Sequence, residues 1–192
     1  VYKRQAHMVI VDVGNSYKGL CELVNKKTGG RDGIYFTYTD EEPICFNPFY
    51  TNDGVFDIEK RESIKTLILT LWKRDDEPPS RSEEVALSNA VNLYLEHIGR
   101  HPEHKPSFNG FYRFVGRDYR RLLRQKNVRE KDFDIDNFLT VLEPYYEGGE
   151  YDYLLNSDKE LDLLHKRFIV FELDNIKDHK ILLPIVTIII ME

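Results

Sequence analysis

Cysteine, phosphate-loop glycine patterns, excess positive charge and long apolar runs are all scarce in this chain, and each scarcity excludes something. Two cysteines, Cys21 and Cys45, cannot build a disulfide framework. Without a Cys-x-x-Cys pair they make neither a zinc nor a redox site, and their apolar and aromatic neighbours suit a reducing compartment. No Gly-x-x-x-x-Gly-Lys-Ser/Thr occurs, so the sequence carries no loop of the kind that curls backbone amides around a nucleotide phosphate. The 27 Lys+Arg face 33 Asp+Glu for a net charge of −6, which argues against whole-molecule attraction to nucleic acid or anionic membrane. The longest apolar run, Ile181–Met191, falls short of the about 20 residues that a bilayer-spanning helix needs, and Pro184 interrupts it. What is present is a globular composition, 41% hydrophobic, over 192 residues. At about 150 residues per domain, that length suits one domain with an insertion or two small ones.

Met8–Val13 (MVIVDV) is a β-branched run without alternation, the pattern of a parallel strand buried on both faces, and Asp12 and Gly14 mark its carboxyl end. A helix over Asn15–Val24 follows, capped by Asn15 or Ser16, with Tyr17, Leu20, Cys21 and Val24 on one face. Ile34–Thr39 reads as a second strand, and Phe46–Phe49 as extended chain because Pro48 disfavours helix before it. From Asp57 the apolar period becomes helical. One helix runs to Lys73 and a second, opened by the capping box Ser80-Arg81-Ser82-Glu83, runs to Ile98. A third carries Phe108, Phe111, Tyr112, Val115, Tyr119, Leu122 and Leu123 along one side, and a fourth spans Asp134–Leu142. Arg167–Leu173 returns to buried strand, and Asp178 caps a final apolar helix in which Pro184 forces a kink or a late start. The pattern predicts an α/β fold with an all-α helical insertion: residues 6–56 and 161–192 form the α/β core, and residues 57–160 form the helical subdomain.

Two apolar strands end in an acid, Asp12 in MVIVD and Glu172 in FIVFE, where a Walker B carboxylate would meet Mg²⁺; the plainer reading is an acid that caps the next turn. Asp12-Val13-Gly14-Asn15-Ser16 also resembles the first phosphate loop of actin-like sugar and pantothenate kinases, over about nine residues. His97, His101 and His104 stand at i, i+4 and i+7, but Gly99 and Pro102 break the helix that would gather them for a metal, which leaves a solvated helix end. Residues 100–131 hold ten Lys/Arg and three Asp/Glu. Arg113, Arg117, Arg120, Arg121 and Arg124 fall on one stripe opposite the apolar side, a candidate surface for a protein partner or nucleic acid, with a solvated face as the bland alternative.

The strings MVIVDVGNSYKGLCELV, GIYFTYTDEEPICFNPFY, IEKRESIKTLILTLWKRDDEP, KDFDIDNFLTVLEPYYEGGEYDYLLN and RFIVFELDNIKDHKILLPIVTIIIME, taken in order over about residues 6–192, resemble the TraG-family conjugative-transposon ATPases, relatives of the type IV secretion ATPases. The resemblance implies a RecA-like P-loop NTPase sheet, present in part, with a helical insertion. It implies a whole protein that uses ATP and Mg²⁺ as a hexameric motor at the cytoplasmic face of the inner membrane, working with conjugation and secretion channel components to drive DNA transfer. The chain then reads as the segment between Walker A and Walker B, inactive alone, with Val1–Gln5 as a non-native scar and no catalytic residue or metal site of its own. Asp12, Gly14 and Glu172 become the residues expected nearest the nucleotide. The non-enzyme alternative is an independent helical interaction module that the sheet segments merely support.

Overall fold

The computed structural model describes residues 6–39, 41–51, 54–74, 76–157 and 166–191; Val1–Gln5, expected to be a scar, lie outside the described residues. The chain divides into two compact units, Val1–Ile44 with Lys159–Glu192, and Cys45–Asp158.

In the first unit three parallel strands, β1 (Met8–Asp12), β2 (Gly33–Thr37) and β3 (Phe168–Glu172), pair in the order β1-β3-β2. Met8 and Gly33 both stand opposite Phe168, and Asp12 and Thr37 both stand opposite Glu172. The central position of β3 explains why Ile169, Val170, Phe171 and Glu172 are all buried. The same burial was expected of β1 and does not hold, because β1 pairs with β3 alone among the described residues. Met8 and Val9 are 51% and 52% exposed, and Val11 and Val13 are exposed as well. Phe36 and Phe171, partners in register, stack with ring centroids 5.0 Å apart.

Helix α1 (Lys18–Lys27) begins later than expected and has no side-chain cap. Asn15 does not cap it, because Asn15 adopts φ 59° in a left-handed turn, a conformation that asparagine tolerates. Only Cys21 of its expected apolar face is buried; Tyr17 and Leu20 are exposed. The helix lies close against the start of β2 because residue 33 is glycine: a Cβ there would stand 2.8 Å from the Cys21 carbonyl oxygen. Helix α8 (Leu182–Met191) receives its cap from Nδ1 of His179, which accepts from the Leu182 N–H at 3.1 Å, rather than from Asp178. Pro184 falls in its first turn, where a missing N–H costs nothing.

The second unit is helical. Asp57 caps α2 (Ile58–Trp72) through the Lys60 N–H. Ser80 and Glu83 form the reciprocal capping box of α3 (Arg81–Arg100), and Glu83 also takes a 2.7 Å bond from Lys73. Burial works to raise the Glu83 carboxyl, but the Lys73 and Ser80 hydrogen bonds outweigh it and hold the group below its ordinary value. Ser107 caps α4 (Phe108–Phe114), and Asp134 caps α6 (Ile135–Leu142). The expected single third helix is divided: a π turn over Val115–Tyr119 joins α4 to α5 (Arg120–Gln125). Its cause is the spacing of the buried side chains Phe111, Val115, Tyr119 and Leu123. Steps of four residues on a 3.6-residue turn overshoot by about 40° each, and one widened turn absorbs the drift. A short helix, α7 (Asp152–Leu155), closes the unit.

Phe49 is fully buried, edge-on to Tyr94 at 5.2 Å and beside Phe111 at 5.6 Å. The segment that delivers it is not extended throughout, as Pro48 had suggested. Asn47–Tyr50 is a turn closed by the Tyr50 N–H on the Asn47 carbonyl at 3.0 Å, with the Asn47 side chain accepting from the Phe49 N–H. A second aromatic cluster joins Trp72 to Phe133 and Phe138.

Candidate functional site

Parallel pairing in register sets Asp12 and Glu172 side by side at the carboxyl ends of β1 and β3, where open α/β sheets bind ligands. Both are buried, Glu172 to 1% exposure. The next residues turn sharply, with Gly14 at φ 119° and Asn15 at φ 59°, so that two successive amides face one way. Such a pair is an anion receptor, and its anion is Glu172: Oε1 accepts from the Gly14 N–H at 3.2 Å and Oε2 from the Asn15 N–H at 2.8 Å. Oε1 also accepts from the Asp174 N–H at 2.8 Å, and Oε2 from the Tyr35 hydroxyl at 3.1 Å. Asp12 Oδ2 accepts from the Tyr17 N–H at 3.1 Å, and so ties the far side of the turn to β1.

The structure therefore brings the three expected residues, Asp12, Gly14 and Glu172, into one cluster at the sheet edge. It adds one that sequence reasoning missed, Tyr35, and joins to them Asn15 of the Asp12–Ser16 loop. Tyr35 projects from β2, and its hydroxyl reaches both Glu172 and the Asn15 side-chain oxygen, each at 3.1 Å. Burial, then the Glu172 hydrogen bond and charge, push the Tyr35 hydroxyl up to about 12. A strand acid and a turn glycine are visible in the sequence. A tyrosine from a strand two places along the sheet carries no local signal.

Chemically the Glu172 end of the cluster is closed. Each Glu172 oxygen already accepts two hydrogen bonds, and the Gly14 and Asn15 amides are engaged. No group of three His, Cys, Asp or Glu among the described residues could hold a metal ion. These residues as placed do not fit Mg²⁺ or a nucleotide phosphate by themselves. They fit a turn that is shaped from beneath by a carboxylate.

The arginine stripe lies in the helical unit and follows the expected face: Arg113, Arg117, Arg121 and Arg124 are exposed, and Arg120 is half-buried. Its charge is largely answered locally. Arg113 pairs with Glu147 at 3.1 Å, Arg120 with Asp136 at 2.6 Å, and Arg117 and Arg121 share Asp118 at 3.3 and 3.2 Å. The Arg120 hydrogen bond holds the Asp136 carboxyl below its ordinary value. Among the described residues Arg124 has no ion pair.

No helix among the described residues is long and apolar enough to cross a membrane. No curated protein matches the chain. Among solved structures, VirB4 of Thermoanaerobacter pseudethanolicus is similar, with a TM-score of 0.53 at 18% sequence identity. The likeness covers 92% of this chain and 63% of that one, so the chain spans less than two thirds of that structure's length. The small parallel sheet and its helices are accordingly a RecA-like α/β fold. A family model described as the TraG P-loop domain matches residues 1–192. The chain belongs to the TraG P-loop domain family.

Proposed function

We propose that this chain is the sheet frame and helical insertion of an ATP-driven motor. The motor assembles as a hexamer at the cytoplasmic face of the inner membrane, meets conjugation channel components there, and energises DNA transfer. The observation that carries this reading is the family match along the whole of residues 1–192. ATP and Mg²⁺ would supply the phosphoanhydride chemistry through a Gly-rich Lys-Ser/Thr loop and metal-binding acids, neither of which these residues provide. Within the motor, Glu172 and Tyr35 give the Gly14–Asn15 turn its shape, Asp12 anchors its exit into α1, and β3 fixes both to one rigid sheet edge. The five stripe arginines offer a surface to a protein or nucleic-acid partner, with Arg124 the most available of them.

ATP binding and hydrolysis by the 192-residue chain, measured beside the full-length protein, test the proposal. Turnover is expected from the full-length protein only, and a full-length protein without ATPase activity would sink the motor reading. Tight nucleotide binding by the 192 residues alone would instead favour a phosphate loop at Asp12–Ser16, which requires Glu172 to vacate the Gly14 and Asn15 amides.

A further inference from the structure

The helical unit contains a second place where chemistry converges, and it is independent of the motor reading. Helix α3 ends at Arg100, as Gly99 and Pro102 require, yet the three histidines are not dispersed. His97 stands in the last turn, His101 is the C-cap, and the His104 N–H folds back onto the His101 carbonyl at 2.9 Å. The rings gather with centroids 4.6 Å apart for His97 and His101, 5.7 Å for His101 and His104, and 6.2 Å for His97 and His104. His97 also lies 5.5 Å from the Phe114 ring.

This cluster borders a cleft of about 620 Å³. That is within the roughly 300–1,000 Å³ of small-molecule sites. The opposite wall is α4 and the π turn, where Gly116 contributes no side chain and Arg113 and Arg117 stand one turn apart. Lys105 adds a third fixed cation. The Glu147 bond uses Nη1 of Arg113 and the Asp118 bond uses Nε of Arg117, so both guanidinium forks keep donors.

The other ionisable neighbours are accounted for. Tyr94 exchanges hydrogen bonds with Ser107 through its hydroxyl. Asp118 is shared between two arginines. Glu103 takes the His101 ring at 3.2 Å, and its own backbone N–H and then that ring hold its carboxyl below the ordinary value. Fixed positive and negative charges around the cleft thus come close to balance, and the imidazoles decide its sign. Each imidazole that carries a proton adds positive charge to this wall, which a bound anion offsets. A cation is disfavoured by the Lys105, Arg113 and Arg117 flank and by the absence of a metal-holding group among the described residues.

We propose that this cleft binds a phosphate-bearing anion through His97, His104, Lys105, Arg113 and Arg117, and that the imidazole cluster takes up protons as the anion binds. Tetrahedral oxyanions suit it because guanidinium forks and ring N–H groups approach from several directions.

Sulfate is the first probe, because its charge stays fixed across the range in which histidine titrates. Calorimetry on the full chain is expected to give affinity on the order of tenfold tighter at about pH 5.5 than at about pH 8. NMR titration of the unaltered chain is expected to move the His97 and His104 pKa values upward when sulfate is added, and inorganic pyrophosphate is expected to displace it. His97→Gln with His104→Gln should flatten the pH profile, whereas Arg117→Gln should weaken binding at both pH values. Equal sulfate affinity at both pH values, or histidine pKa values indifferent to sulfate, overturns the proposal. Zn²⁺ binding that strengthens with rising pH and releases protons overturns it too, in favour of a cation site. The unaltered-chain measurements need no variant to fold.

Discussion

The two units solve the same burial problem to different degrees. In the helical unit the large apolar side chains Phe49, Phe108, Phe111, Phe138, Ile64 and Leu87 are fully buried, and α2, α3, α4 and α6 begin on side-chain caps at Asp57, Ser80, Ser107 and Asp134. In the α/β unit β3 is covered, but Met8, Val9, Val11, Leu20 and Leu23 stand exposed, and α1 starts without a cap. Composition alone does not separate the two, since β1 is as apolar as β3. Position in the sheet does: a strand's burial depends on neighbours on both edges and cover on both faces, which its own residues cannot supply. Among the described residues β1 has a strand neighbour on one side only, and the aromatic core of the helical unit is closed by its own helices.

The largest effect should therefore come from separating them. Residues 45–158 alone are expected to keep helical circular dichroism and unfold in one cooperative transition, while the whole chain binds a hydrophobic dye at its exposed strand and helix surface; a non-cooperative 45–158 piece breaks the comparison. Paired truncations come next. Phe49→Ala should cost about 3–5 kcal/mol in urea unfolding, whereas Val9→Ala should stay within about 0.5 kcal/mol. Equal losses at the two sites would show that β1 is covered in solution.

Glu172→Gln comes third. One oxygen and one amide group replace two oxygens that accept four hydrogen bonds, so Gly14, Asn15, Tyr35 and Asp174 cannot all stay satisfied. A loss of about 2–3 kcal/mol is expected, read by hydrogen exchange at the Gly14 and Asn15 amides. A smaller loss than at Phe49 or Glu172 is expected at the α3 cap, where Ser80→Ala should cost about 1 kcal/mol. Because the Glu83 carboxyl lies below its ordinary value in the folded chain, its contribution is present above the unfolded value and is lost as pH falls through the folded one. Acid titration of stability should lose that component in Glu83→Gln.

The features legible in the sequence share one property: their cause is local. The Ser80 capping box, the helix starts near Asp57 and Asp134, the helix end forced by Gly99 and Pro102, and the buried character of FIVFE all follow from a few adjacent residues. What escaped depends on partners distant in the chain. The exposure of β1 is decided by which strand lies beside it, and the role of Tyr35 by a carboxylate 137 residues away. The π turn falls between these cases: its signal, apolar residues at a strict spacing of four, was present at Phe111, Val115, Tyr119 and Leu123 and needed only to be measured against the helical repeat.

The middle place of β3 also sets a timetable for synthesis. Met8 pairs with Phe168, so β1 and β2 leave the ribosome long before the strand that joins them exists. At about 5–20 residues per second the gap lasts roughly seven to thirty seconds, during which the short-range contacts of the helical unit can be completed. Throughout that interval two apolar strands remain unzipped, which makes the nascent chain, more than the finished fold, the stage at which chaperones have most to protect.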